Sequence, residues 1–159
     1  MRDEEVLIDI SPSPIRRWMA LLALGVLAIL LTGLAIGDVP DLWRLFFVLL
    51  GVGVLWSGNK LRAATLDGLV LTRAGLRTES GVMLAPVENI AKVERGVFAF
   101  KPSNGFLVRL KEADGKGWAP GLWWKLGRRI GVGGTLSGGQ TRAMADMMNV
   151  LVLERDGDI

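Results

Sequence analysis

Trp118, Trp123 and Trp124 stand beside Lys125, Arg128 and Arg129, and this is the stretch of the chain best suited to chemistry at a surface. An indole is half apolar and half hydrogen-bonding, and a cation seeks anions, so the combination fits a lipid headgroup layer. No acid falls between Asp114 and Asp146, while Lys116, Lys125, Arg128, Arg129 and Arg142 supply five positive charges. Bases held near an anionic membrane surface contribute about 1 kcal/mol each. The competing reading packs the three indoles on the domain and leaves the bases as a solvated face. A nucleic-acid surface would carry a larger excess than the net +3 of this chain.

Leu136-Ser137-Gly138-Gly139-Gln140 spells the signature of ABC-transporter ATPases. There, amides at a helix N-terminus grip a nucleotide γ-phosphate. That chemistry also needs a G-x-x-x-x-G-K-[ST] loop, and the chain contains none. Helix capping accounts for the string: Ser137 as N-cap and Gln140 three residues on make an S-x-x-Q capping box opening a final helix. Gly131-Val132-Gly133-Gly134 starts like a dinucleotide loop, but position 136 is Leu where a third glycine is needed. It reads as a flexible connector.

The chain has no Cys and no His. That removes thiolate chemistry, nearly all structural zinc and iron–sulfur ligation, and the usual general base near neutral pH. Asp3, Glu4, Glu5 and Asp9 follow no metal-binding spacing. The methionines of the last helix read as core or groove fillers rather than ligands. No catalytic residue, metal site or cofactor is expected.

These residues must be positioned by an uneven chain. Trp18–Ile36 is 19 residues without a charge, and as a helix would cover about 28 Å, close to a hydrocarbon core. A turn at 37–41 contains Asp38, Pro40 and Asp41. Leu42–Trp56 is a second apolar run of 15 residues, about 22 Å as a helix, which needs flanking residues to cross fully. A re-entrant second helix is the alternative. Arg44 near its start is expected to snorkel to headgroups. Gly33 and Gly37 form a GxxxG, and Gly53 and Ser57 repeat the small-xxx-small spacing, which predicts helix packing within the hairpin ahead of self-dimerisation. Arg16 and Arg17 before an apolar run invite a signal-peptide or twin-arginine reading. The length of the run, the lack of a cleavage site and the second run oppose it.

Arg16, Arg17, Lys60 and Arg62 flank one end of the hairpin, against Arg44 alone at the other. The positive-inside rule then puts both termini in the cytoplasm. Residues 1–17 read as a tail, flexible or with a short edge strand at Val6–Ile10. Beyond Lys60 the hydrophobic period becomes two. Strands are predicted at Leu69–Thr72, Leu76–Glu79, Val82–Ala85, Ala91–Phe100 and Phe106–Leu110. Residues 118–139 are less regular. From Ser137 the period is helical to about Glu154, with Met144, Met147, Met148 and Leu151 on one face.

A hairpin, antiparallel strands and one closing helix, with D-G-L-V-L-T at 67–72 and G-V-M-L-A-P-V-E-N-I-A-K-V at 81–93, resemble bacterial membrane proteins carrying a pleckstrin-homology-like domain. The resemblance covers residues 60–155. It implies a bent seven-stranded barrel plugged by the last helix, and no catalytic residues. The expected fold is thus membrane-anchored α+β: a two-helix transmembrane hairpin over 18–56, a small antiparallel PH-like domain over 60–155, and a tail at 156–159. The expected function is non-catalytic: the domain binds lipid headgroups or another protein at the inner-membrane surface. The alternative is an accessory or assembly subunit that meets a larger membrane complex through the hairpin. Membrane lipids, and in the alternative a membrane protein, are the expected partners; nucleic acid is not.

Overall fold

The computed structural model describes residues 5–95 and 103–157. Two long helices come first. Pro14–Ile36 (α1) has 23 residues and Asp41–Ala64 (α2) has 24, lengths of about 34 and 36 Å. Both are long and apolar enough to cross a membrane. Pro14, with its preset φ, suits the first helical turn, so α1 begins before Trp18. α2 does not stop at Trp56; it runs on through Lys60 and Arg62, which removes the shortness expected of the second run. None of the most apolar stretch of α2 is buried by protein, unlike the core helix of a soluble domain.

The two helices meet along matched seams. Among the covered positions of α1 are Arg17, Leu21, Leu24, Ala28, Leu31 and Ala35, and among those of α2 and its C-cap are Phe47, Gly51, Val54, Gly58, Leu61 and Thr65; Ala20, Gly25, Ser57 and Ala64 beside them are also partly covered. Steps of three and four alternate along both, the spacing of a left-handed coiled coil. A methyl placed on Gly51 would lie 3.9 Å from Leu31 Cβ, and one on Gly58 would lie 3.7 Å from Leu24 Cδ1. Extending that register sets Ala28 beside Val54 and Ala35 beside Phe47, so a small residue faces a large one at these four steps. The glycines expected to do this do not. A methyl on Gly33 or Gly53 would meet nothing within 4 Å, and one on Gly37 would meet only carbonyls of α1 itself. Ser57 folds back to donate to Gly53 O at 2.8 Å. The reason is rotational: Gly33 and Gly53 are not on the 3–4 seam.

Arg44 also departs from expectation. Rather than reaching outward, its guanidinium spans the turn, donating to Ala35 O at 3.2 Å and pairing with Asp41 at 3.0 Å. It therefore satisfies one of the orphan carbonyls at the end of α1.

The remaining chain forms two antiparallel sheets and a closing helix. Val6–Ile10 (β1), Leu69–Thr72 (β2), Gly75–Thr78 (β3) and Met83–Pro86 (β4) form the first sheet in that order. A 3-10 turn at Val87–Asn89 leads into the second sheet. Its strands are Ile90–Glu94 (β5), Phe106–Leu110 (β6), Lys116–Ala119 (β7), Trp123–Leu126 (β8) and Arg129–Val132 (β9). Their order is β5-β6-β9-β8-β7. Residues from both sheets share one core with Gly138–Asp156 (α3). Nine strands in two sheets with no closing pair among the described residues replace the seven-stranded barrel. Residues 118–132, read as irregular with a flexible connector, are three short strands. Val97 and Phe98 of the predicted long strand lie outside the described residues, as do Asp3 and Glu4.

The tail reading resolves to the edge strand. β1 pairs with β2, with Ile10 opposite Leu69 and only 1% exposed. At the other end of the chain, Ser137 caps α3 by accepting from Gln140 N. The Gln140 side chain meets the Ser137 hydroxyl at 3.0 Å, so the capping box is closed through side chains. Arg155 donates to Val87 O and to Ile90 O, tying α3 to the 3-10 turn. It also grips Asp156 through two nitrogens, and that hydrogen bond holds the Asp156 carboxyl below the usual carboxylate range.

Candidate membrane-interface face

The hairpin and the domain join at a tight seat. Ser13 N donates to Thr135 O at 3.0 Å and Arg16 to Leu136 O at 3.3 Å, which fixes the start of α1 on the loop before α3. Thr135 in turn donates its N–H and its hydroxyl to Gly121 O, at 2.8 and 2.7 Å. Gly121 has φ +72, and a methyl there would meet Leu61 Cδ1 at 2.6 Å and Thr135 Cγ2 at 3.2 Å. The turn joining β7 to β8 thus rests on the last turns of α2. Strands β7, β8 and β9 all have one end at this seat.

From there the register of the second sheet arranges its outer face. Side chains directly opposite across an antiparallel pair share a face. Glu94, Leu107, Gly131, Trp124 and Trp118 form one cross-strand row. Lys92, Arg109, Arg129, Leu126 and Lys116 form the next, about 7 Å further from the seat. The first row is apolar and aromatic at the β7–β8 end; the second holds four cations. Trp118 and Leu126 are each 61% exposed. Gly131 makes room for Trp124, since a methyl there would strike the indole at 2.2 Å. The Trp124 ring therefore lies across β9, on the face it shares with Trp118.

Arg109 and Arg129 sit directly opposite one another. Glu94 takes Arg109 at 3.2 Å and Lys92 at 3.5 Å. Arg129 and Lys116 make no ion pair among the described residues. Like charges placed opposite are destabilising unless an anion intervenes.

The sequence-nominated residues divide. Trp118, Trp124 and Arg129 are brought together on this face, and Arg128 is exposed at the β8–β9 turn. Trp123 and Lys125 alternate to the other side. Trp123 packs against the core. Lys125, with a side chain 9% exposed, donates to Leu84 O at 3.0 Å and pairs with Asp114 at 2.6 Å. It bridges the two sheets and is not free to meet a headgroup. Lys116 was counted among the bases of this stretch, but Lys92 and Arg109, which belong to the same basic row, were missed, because only strand register reveals that they line up. No protein-family model, curated protein or solved structure matches this chain.

Proposed function

We propose that this is a non-catalytic, membrane-anchored protein whose domain contacts anionic headgroups through the outer face of its second sheet. The observation that carries the reading is the cross-strand row Lys92, Arg109, Arg129 and Lys116, set beside exposed Trp118 and half-buried Trp124. The aromatic row lies nearer the seat, and cations lie beyond it, the order in which a headgroup layer presents its apolar boundary and its phosphates. The β1–β2 pair supports two crossings, since residues on both sides of the hairpin must share one compartment. It also speaks against a cleaved leader, which would take core residue Ile10 with it. Flanking charge favours the cytoplasmic side for both termini, in an inner membrane. The order of hairpin, strands and closing helix supports a distant PH-like relationship. In the alternative reading, as an accessory subunit, the open Gly33 and Gly53 would face a membrane partner.

A fragment beginning at residue 60 would lack β1, so the test uses the full chain. Its lack of cysteine allows a single environment-sensitive fluorophore at Leu126→Cys. In nanodiscs containing anionic lipid the emission is expected to shift to the blue relative to neutral discs. Lys116→Glu with Arg129→Glu, or high salt, should abolish the shift. Equal emission in neutral and anionic discs would refute the proposal.

A further inference from the structure

A second basic feature lies at the first turn of α3 and shares no residue with the tryptophan face. A cavity of about 620 Å3 is lined by Arg95, Asn104, Gly105, Gly138, Thr141 and Arg142. Among the described residues two guanidinium groups and no carboxylate line it. Arg95 is held at 2.7 Å by Asp146, one helical turn beyond Arg142, so an acid outside the cavity steadies a cation within it. Arg142 is exposed and makes no hydrogen bond or ion pair among the described residues. The Thr141 hydroxyl is already committed to Asn104 O. Gly138 and Gly139 contribute no side chains, and no acid stands in the first turn of the helix.

We propose that this cavity binds a phosphate-bearing anion, held by Arg142 and Arg95. Planar guanidinium forks match phosphate oxygens, and such charge-assisted bonds are the strong ones. Leu136 and Thr135, which receive Arg16 and Ser13 at the start of α1, directly precede the Ser137 cap. The cavity is therefore close to where α1 leaves the domain, within reach of a lipid phosphate as well as a free one. The lipid source rests on the membrane reading above; the phosphate chemistry does not.

The probe is inorganic phosphate, titrated into the full chain in a neutral detergent, against chloride at matched ionic strength. A saturable rise in thermal midpoint is expected. Arg142→Gln should weaken the apparent affinity about tenfold or more. Gly138→Asp is the sharper variant. A methyl at Gly138 would lie 3.7 Å from Asn104, an ordinary contact, so a side chain fits. The carboxylate would favour the helix terminus and raise the midpoint without phosphate, while abolishing the phosphate response. Misfolding cannot produce that pair of results. A midpoint that follows ionic strength alone, or a Gly138→Asp protein that responds like the native one, would overturn the proposal. Nanodiscs with and without phosphatidic acid separate the sources. Stabilisation by that lipid, lost in Arg142→Gln, assigns a headgroup; a phosphate response without lipid dependence assigns a soluble ligand. Lys116→Glu with Arg129→Glu should leave the phosphate response intact, so failure of the tryptophan face and failure of the cavity remain distinguishable.

Discussion

Replacing Gly121 with Ala tests whether the domain is seated on the hairpin or only tethered to it. At φ +72 any residue with a Cβ is strained, by about 1–2 kcal/mol. The new methyl would also lie 2.6 Å from Leu61 Cδ1, well inside van der Waals contact. Leu61 is 8% exposed, and displacing it forfeits part of the ~1.5–3 kcal/mol that burying a leucine contributes. The expected loss is about 2–4 kcal/mol. Gly127→Ala supplies the reference: its φ is +59, and a methyl there meets nothing within 4 Å. It should show the backbone strain alone. Thermal unfolding of the full chain in detergent reads the difference, since 1 kcal/mol moves the midpoint of a domain this size by about 4–8 °C. Limited proteolysis around residues 57–68 should accelerate in Gly121→Ala only. Equal midpoints for the two variants would show that no packed seat exists, and the argument for a fixed orientation of the tryptophan face would fail with it.

Two further outcomes follow from contacts already described. Gly51→Leu or Gly58→Leu should open the hairpin, at an overpacking cost of about 1–3 kcal/mol each, whereas Gly33→Leu and Gly53→Leu should leave it closed. Cross-linking of an Ala28→Cys, Val54→Cys pair reads this, and equal loss in all four would refute the assigned seam. The Asp156 carboxyl is held low by Arg155, so its contribution to stability is present above the ordinary aspartate range near pH 4 and is lost as pH falls through the lowered value. Asp156→Asn should flatten that part of the acid limb, and unfolding midpoints between pH 5 and 2 that fall in parallel for both proteins would exclude it.

Helices were legible because their signal is composition over a long window: α1 needed only an uncharged run. The short strands at 69–72 and 106–110 were legible because each is a short apolar run with a turn on either side. Lys60 and Arg62 hid the true end of α2, since charge looks like a stop even where hydrogen bonding continues. The seam was misread for a geometric reason. Spacing of four names a pair of glycines, but which face they occupy depends on the partner helix. β7 to β9 were missed because four-residue strands, two of them with glycine inside, carry little periodicity. Their value, the basic row, depends on pairing partners far apart in sequence. Lys125 shows the converse. Its neighbours in sequence are basic and aromatic, yet strand alternation turns it inward to Asp114.

The pairing of β1 with β2 has a consequence for assembly. These strands are neighbours in the sheet but are separated in the chain by the entire hairpin, which would make their meeting a costly loop closure in an open coil. Once α1 and α2 have zipped, that loop shrinks to a few residues at either end, and the closure entropy has already been met by helix pairing. The hairpin is thus a staple for the sheet above it. β1 is made first and stays unpaired until the second helix has been completed and has returned the chain to its side. The core shared by the two sheets can finish only after the helical hairpin has closed.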